Sequence, residues 1–140
     1  MKMRVADCII NALGDMGITH VYLLSGGGIM YLLDALGRST LSAIFCHHEQ
    51  AASIAAQAHA MYTNAPSCCL VTTGPGGTNA LTGCAAAYMD STPVLFLSGQ
   101  VKTKDLAKQY SVRQYNGSYR FGQDSSSLFM VWDSLKGRQS

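Results

Sequence analysis

Residues 67–99 read SCCLVTTGPGGTNALTGCAAAYMDSTPVLFLSG, and the order of events along them decides the fold. A short apolar run, 67–73, stops at a glycine–proline turn. An alanine-rich stretch of helical composition follows over 78–89, and 93–99 is again apolar and of strand length. Runs that are apolar throughout, without alternation, belong to strands covered on both faces. Parallel sheets crossed over by helices supply such strands.

The same unit recurs upstream. HVYLL at 20–24, leading into SGGG, and LSAIFC at 41–46 read as two more strands. Residues 29–36 and 49–62 carry apolar residues at helical spacing, with Gly37 ending the first. Ahead of them, RVADCIINALGDM at 4–16 places Val5, Cys8, Ile9, Ala12, Leu13 and Met16 on one predicted helical face, with Gly17 as its C-terminal stop. One helix followed by four strand–helix alternations predicts an α/β fold, a doubly wound parallel sheet with helices on both faces, incomplete at its C-terminal end. Residues 1–115 form the predicted domain. Residues 116–140 hold a serine run and one apolar patch at 128–132, and read as an irregular tail.

Charged residues make up only 13% of the 140, so much of the surface is expected to lie against another subunit or domain. The net charge of +2 divides into −2 over residues 1–101 and +4 over 102–140. The basic residues of the second part are scattered, not arranged as the stripe that nucleic acid demands. No apolar run approaches the ~20 residues of a membrane span. Five cysteines, odd in number and without C-x-x-C spacing, read as reduced, buried thiols of a cytoplasmic protein.

In sheets of this kind ligands gather beyond the carboxyl ends of the strands. The sequence puts SGGG (25–28) there after the first strand, HHE (47–49) after the second, TGPGGTN (73–79) after the third and SGQ (98–100) after the fourth. Glu49 is the only glutamate in the chain. A zinc helix of the H-E-x-x-H type fails because position 52 is Ala52, and His59 lies ~15 Å further along the predicted helix. No metal site is expected. The dinucleotide pattern G-x-G-x-x-G fails at Tyr31 and at Asn79, and no lysine between Lys2 and Lys102 could complete a phosphate loop. What remains is a tight turn that opens a helix and allows close backbone approach. Two plainer readings stay open at this point: a turn capping its helix through Thr78 or Asn79, and Glu49 as a first-turn acid favoured by the helix dipole.

HHEQAASIAAQAHA at 47–60 and LVTTGPGGTNALTGCAAAYMDSTPVLFLSGQV at 70–101, with GITHVYLLSGGG at 17–28 and KQYSVRQY at 108–115, together resemble a known family. It is the N-terminal, pyrimidine-binding domain of thiamine-diphosphate enzymes of the acetolactate synthase type, and the likeness spans about residues 3–115. The resemblance implies that Glu49 shares a proton with N1′ of the cofactor's aminopyrimidine, the step that activates the thiazolium carbon. The activated carbon attacks a 2-keto acid such as pyruvate, which is decarboxylated and passed to a second carbonyl. It further implies cofactor binding at Ser25, Gly26, Gly27, Gly28, Glu49, Gly74, Pro75, Gly76, Gly77 and Asn79, with Gln100 on the substrate side. Ser25 and Gly26 stand where many acetolactate synthases have an aromatic residue and a proline, so the choice of substrate is not implied; nor is a flavin. In the family, diphosphate and Mg²⁺ are held by a separate domain carrying Gly-Asp-Gly, a motif these residues do not contain. The implied partners are a second copy, as a homodimer, or another chain bearing that domain, and the isolated chain is expected to be inactive. A truncated, non-catalytic remnant serving in binding or dimerisation is the alternative expectation.

Overall fold

The computed structural model describes residues 3–100 and the backbone of a strand at Phe129–Val131. Helix α1 (Val5–Asp15) ends where Gly17 takes a φ of +84°, a left-handed turn that lets the Ile18 N–H reach back to the Leu13 carbonyl. Strand β1 (His20–Leu23) leads through a short 3-10 turn at Gly27–Ile29 into α2 (Met30–Gly37). Then come β2 (Ser42–Phe45), α3 (Glu49–Thr63), β3 (Ser67–Val71), α4 (Pro75–Asn79), α5 (Leu81–Met89), β4 (Val94–Ser98) and β5 (Phe129–Val131).

The sheet order is β2-β1-β3-β4-β5. β1 to β4 pair in parallel, while β5 runs antiparallel along β4. The predicted parallel α/β sheet is therefore present, with one antiparallel strand added at its edge. β5 falls in the apolar patch of the stretch read as irregular; the rest of 116–140, and the boundary at 115, lie outside the described residues.

Alternation along each strand divides the interior into two layers. Leu23, Cys68, Leu70 and Leu97 point to the side covered by α1 and α2, where Ile10, Leu13, Ile29 and Leu36 meet them. Cys69, Val71, Val94 and Phe96 point to the other side and meet Ala52, Ala56 and Ala60 of α3 and Ala87 of α5. Helices thus cover both faces of the central strands, as their continuously apolar sequences require, while the edge strand β2 leaves Ile44 and Phe45 exposed.

Three local expectations are corrected. The buried face of α1 carries Ile10 and Leu13 with Ala6 and Ile9, whereas Val5, Cys8 and Met16 are exposed. Ile9 and Leu13 of the expected face are thus on the buried side, and the sheet centres that side on Ile10 and Leu13 instead of on Val5 and Met16. Of the cysteines, only Cys68 and Cys69 are fully buried; Cys46 and Cys84 are partly so, and all five are unpaired thiols. The helix expected from Thr78 begins earlier, at Pro75, and breaks at Ala80 into α4 and α5. Proline at the first helical position gives up no hydrogen bond, which lets the glycine–proline turn itself start the helix.

Candidate functional site

The chain leaves β1 to build β2 on one side and later returns to build β3 on the other. Connections diverge there, and a crevice opens at the carboxyl ends of β1 and β3. The loop after β1 and the loop after β3 face each other across it.

Their junction is filled by Thr72, which follows directly on β3. Its Oγ1 accepts the Gly28 N–H at 3.1 Å, and its carbonyl accepts Ser98 Oγ from the end of β4 at 3.2 Å. A side chain on Gly26 would overlap Thr72 outright, and a Cβ on Gly76 would lie 2.8 Å from Thr72 Cγ2. Glycine is needed at both places because a third residue occupies the space. At Gly74 the need is conformational, since its φ of +66° turns the chain from β3 into α4.

Glu49 enters from α3. It is 7% exposed, and its Oε2 accepts Asn79 Nδ2 at 3.0 Å. The other oxygen, Oε1, lies toward Gly76, where a Cβ would stand 3.5 Å away. Of the two plainer readings of this region, the first-turn acid stands, since Glu49 is the first residue of α3, and the side-chain cap of α4 falls. His48, not Glu49, caps α3, its Nδ1 accepting the Gln50 N–H at 3.1 Å. No side chain caps α4: Thr78 Oγ1 turns back to the Pro75 carbonyl, and Asn79 is committed to Glu49.

The residues singled out by sequence divide into two groups. Glu49, Asn79, Gly26, Gly28 and Gly76 converge around Thr72, with Gly74 forming the turn and Gly77 packed toward Ser98. Ser25, Gly27 and Pro75 form an exposed rim. Gln100 is half-buried just beyond β4, next to Gly99, whose N–H is bonded to the Val71 carbonyl. Sequence reasoning left Thr72 in the third strand, and set Ser98 at the ligand-binding edge, within SGQ, without giving it a role. For Thr72 the available signal was a small polar residue at the end of an apolar strand, two positions ahead of GPGG. Thr73 was set at the same edge, within TGPGGTN, but given no role; its Oγ1 is buried in the loop without a hydrogen-bond partner among the described residues.

No group of three His, Cys, Asp or Glu side chains able to hold a metal occurs among the described residues. His59 stands instead with Tyr22, whose hydroxyl is 2.8 Å from its Nδ1, and with the His20 ring at 4.8 Å. Burial pushes the Cys68 thiol up to about 12, and burial likewise raises Cys69, so both remain protonated packing groups. No helix among the described residues is long and apolar enough to cross a membrane.

Comparison with known proteins gives this crevice a family. The sequence pattern described as "Thiamine pyrophosphate enzyme, N-terminal TPP binding domain" matches residues 3–128. A probable acetolactate synthase large subunit of Methanocaldococcus jannaschii is 44% identical over 102 residues, 73% of this chain and 17% of that protein. The acetolactate synthase isozyme 2 large subunit of Escherichia coli is 40% identical over 99 residues, 71% of this chain and 18% of that protein. The chloroplastic acetolactate synthase 2 of Nicotiana tabacum is 38% identical over 97 residues, 69% and 15% of the two chains. The chain spans less than a fifth of the length of these relatives. With Glu49 and the glycine loop at 74–79 gathered at one crevice and the match running through nearly the whole chain, this protein belongs to the N-terminal TPP-binding domains of the thiamine pyrophosphate enzymes.

Proposed function

We propose that this domain supplies the aminopyrimidine half of a thiamine-diphosphate site in an acetolactate synthase-like decarboxylase or carboligase. The observation that carries the reading is Glu49: a buried carboxylate at the switch point, fixed on one oxygen by Asn79 and open on the other toward a glycine. The crevice suits a flat, polar ring. Gly76 leaves room beside Oε1, the Gly26–Gly28 loop forms the facing wall, and the orphan Thr73 hydroxyl offers a further polar group.

Thiamine diphosphate is the family's cofactor, and when bound it supplies a carbon nucleophile and an electron sink for 2-keto acids such as pyruvate. This chain's part is to bind the pyrimidine end, orient it and hold or release one proton at Glu49. A buried acid suits that task because, shielded from water, its proton goes to the ring it faces. Cofactor contacts are assigned to Ser25, Gly26, Gly27, Gly28, Gly74, Pro75, Gly76, Gly77 and Asn79, and Gln100 is assigned to the substrate side. Diphosphate and Mg²⁺ fall to a second domain. A dimeric assembly completes the site and covers exposed apolar residues such as Ile54, Met61 and Tyr62 of α3. The cytoplasm is the assigned compartment, which suits five unpaired thiols.

The test is complementation. With a diphosphate-binding domain supplied, the chain should support release of carbon dioxide from pyruvate. Glu49→Gln should lower that rate by roughly 10²–10⁴-fold without altering the thermal melt. Turnover by Glu49→Gln at the parent rate would remove Glu49 from this role.

A further inference from the structure

We infer that Asn79 is the positioning residue for Glu49, directing the proton traffic of that carboxylate toward Oε1. The inference rests on the pyrimidine-site reading above and revises one part of it: Asn79 acts on the acid and not on the cofactor.

The geometry is specific about direction. Asn79 Nδ2 is a donor, so the Oε2 atom it meets at 3.0 Å offers it a lone pair, and a proton on Oε2 would weaken that bond. A carboxylate with one oxygen so engaged takes up and releases its proton preferentially at the other. That other oxygen is Oε1, and it lies on the side where Gly76 has no side chain to intervene. The same bond fixes the terminal torsion of Glu49, a broad and soft rotation in a free glutamate. Without it the two oxygens exchange places and the acid offers its proton in more than one direction.

The fold supplies the reason why a residue thirty positions away can do this. Asn79 is the last residue of α4, and the break at Ala80 separates α4 from the start of α5 at Leu81. Asn79 thus occupies the joint between the two helices, and its amide turns onto the first residue of α3. An asparagine suits the position better than its relatives. Aspartate has the same size but would set a second carboxylate against the first, and alanine would leave Oε2 with no donor.

The single glutamate makes a direct experiment possible, because a chain labelled with ¹³C-glutamate gives one side-chain carboxyl signal. The full chain is titrated with the aminopyrimidine alcohol that forms half of thiamine, and separately with its pyridine analogue, in which the ring nitrogen facing Glu49 is replaced by CH. The parent chain should bind the pyrimidine, with affinity on the order of millimolar for so small a ligand, and the carboxyl signal should move. The pyridine should bind more weakly and leave the signal in place. Asn79→Ala should weaken pyrimidine binding by about tenfold and leave pyridine binding unchanged. Asn79→Asp should lose at least as much, although it still fills the space.

Equal pyrimidine affinity in the parent and both variants would overturn the role of Asn79. So would equal losses for pyrimidine and pyridine, which would mark Asn79 as a purely structural tie between α4 and α3. Failure of the parent chain to bind the pyrimidine at all would overturn the underlying reading of the site. Should Asn79→Ala lose the parent's amide spectrum, Asn79→Asp and Asn79→Ser carry the same comparison.

Discussion

The two sides of the sheet bury side chains of different size. Against α1 and α2 the interior is built from Ile10, Leu13, Leu23, Leu70 and Leu97. Against α3 and α5 it is built largely from Ala52, Ala56, Ala60 and Ala87, and α3 also buries Glu49, Ser53 and Gln57. Large aliphatic residues bring the greater transfer free energy. Small ones bring helices close together and leave room for polar groups, provided these are bonded. They are: Ser53 Oγ donates to the Gln50 carbonyl at 2.8 Å, and Gln57 Nε2 to Asp90 at 2.7 Å. One side chiefly supplies stability and the other carries the acid.

That division can be broken from either side. The largest loss of stability is expected from Leu70→Ala, which empties a fully buried position on β3. It should cost about 3 kcal/mol in chemical denaturation, and a loss under about 1 kcal/mol would show that the aliphatic layer is not the main support. Next comes Gly83→Ala on α5. The added Cβ would lie 2.6 Å from Ser53 Cβ and 2.7 Å from its carbonyl carbon, so α3 and α5 must separate. About 2 kcal/mol is expected, and an unchanged melt would mean that the close helix approach is unimportant.

A smaller effect is expected with pH. Burial first, and the neighbouring His20 second, hold His59 below its ordinary value of 6.5. The unfolded chain therefore takes up this proton before the folded one does. Stability should be fully present above about pH 6.5, fall as the pH drops below it, and level off beneath the folded-state value. Melts of His59→Gln over the same range should show a shallower slope; an identical slope would place the effect elsewhere. The smallest change is expected on the aliphatic side's outer surface, where Arg4 and Arg38 bridge Asp7 and Asp34 at 2.6–3.1 Å. Arg4, Arg38 and Asp34 are each about half exposed to solvent, so Asp34→Asn should move the melting temperature by no more than about 2 °C.

Much of this was legible in the sequence because the strands are apolar throughout and the punctuation is strong. SGGG, HHE and GPGG each follow a strand, and placing them on one sheet edge required only the rule for parallel sheets. What stayed hidden was set by tertiary choice. Val5, Cys8 and Met16 share a helical face as regular as that of Ile10 and Leu13, and only the sheet decides which is covered. Thr72 reads as the end of a strand, and nothing local shows that glycines from two loops will close on it. The partnership of Asn79 with Glu49 spans thirty residues and depends on the break at Ala80, which an alanine-rich sequence does not announce.

The bond between Gly28 and Thr72 has a consequence for how the chain reaches its native state. It joins residues 44 apart, and β2 and α3 lie between them. Loops of that length close slowly compared with the turns inside a helix, and long-range parallel pairing is a late event in folding. The crevice therefore comes into being with the β1–β3 pairing and not before it. A partly folded chain with all its helices formed would still have no crevice, and capture of a ligand there reports that the central strands have met.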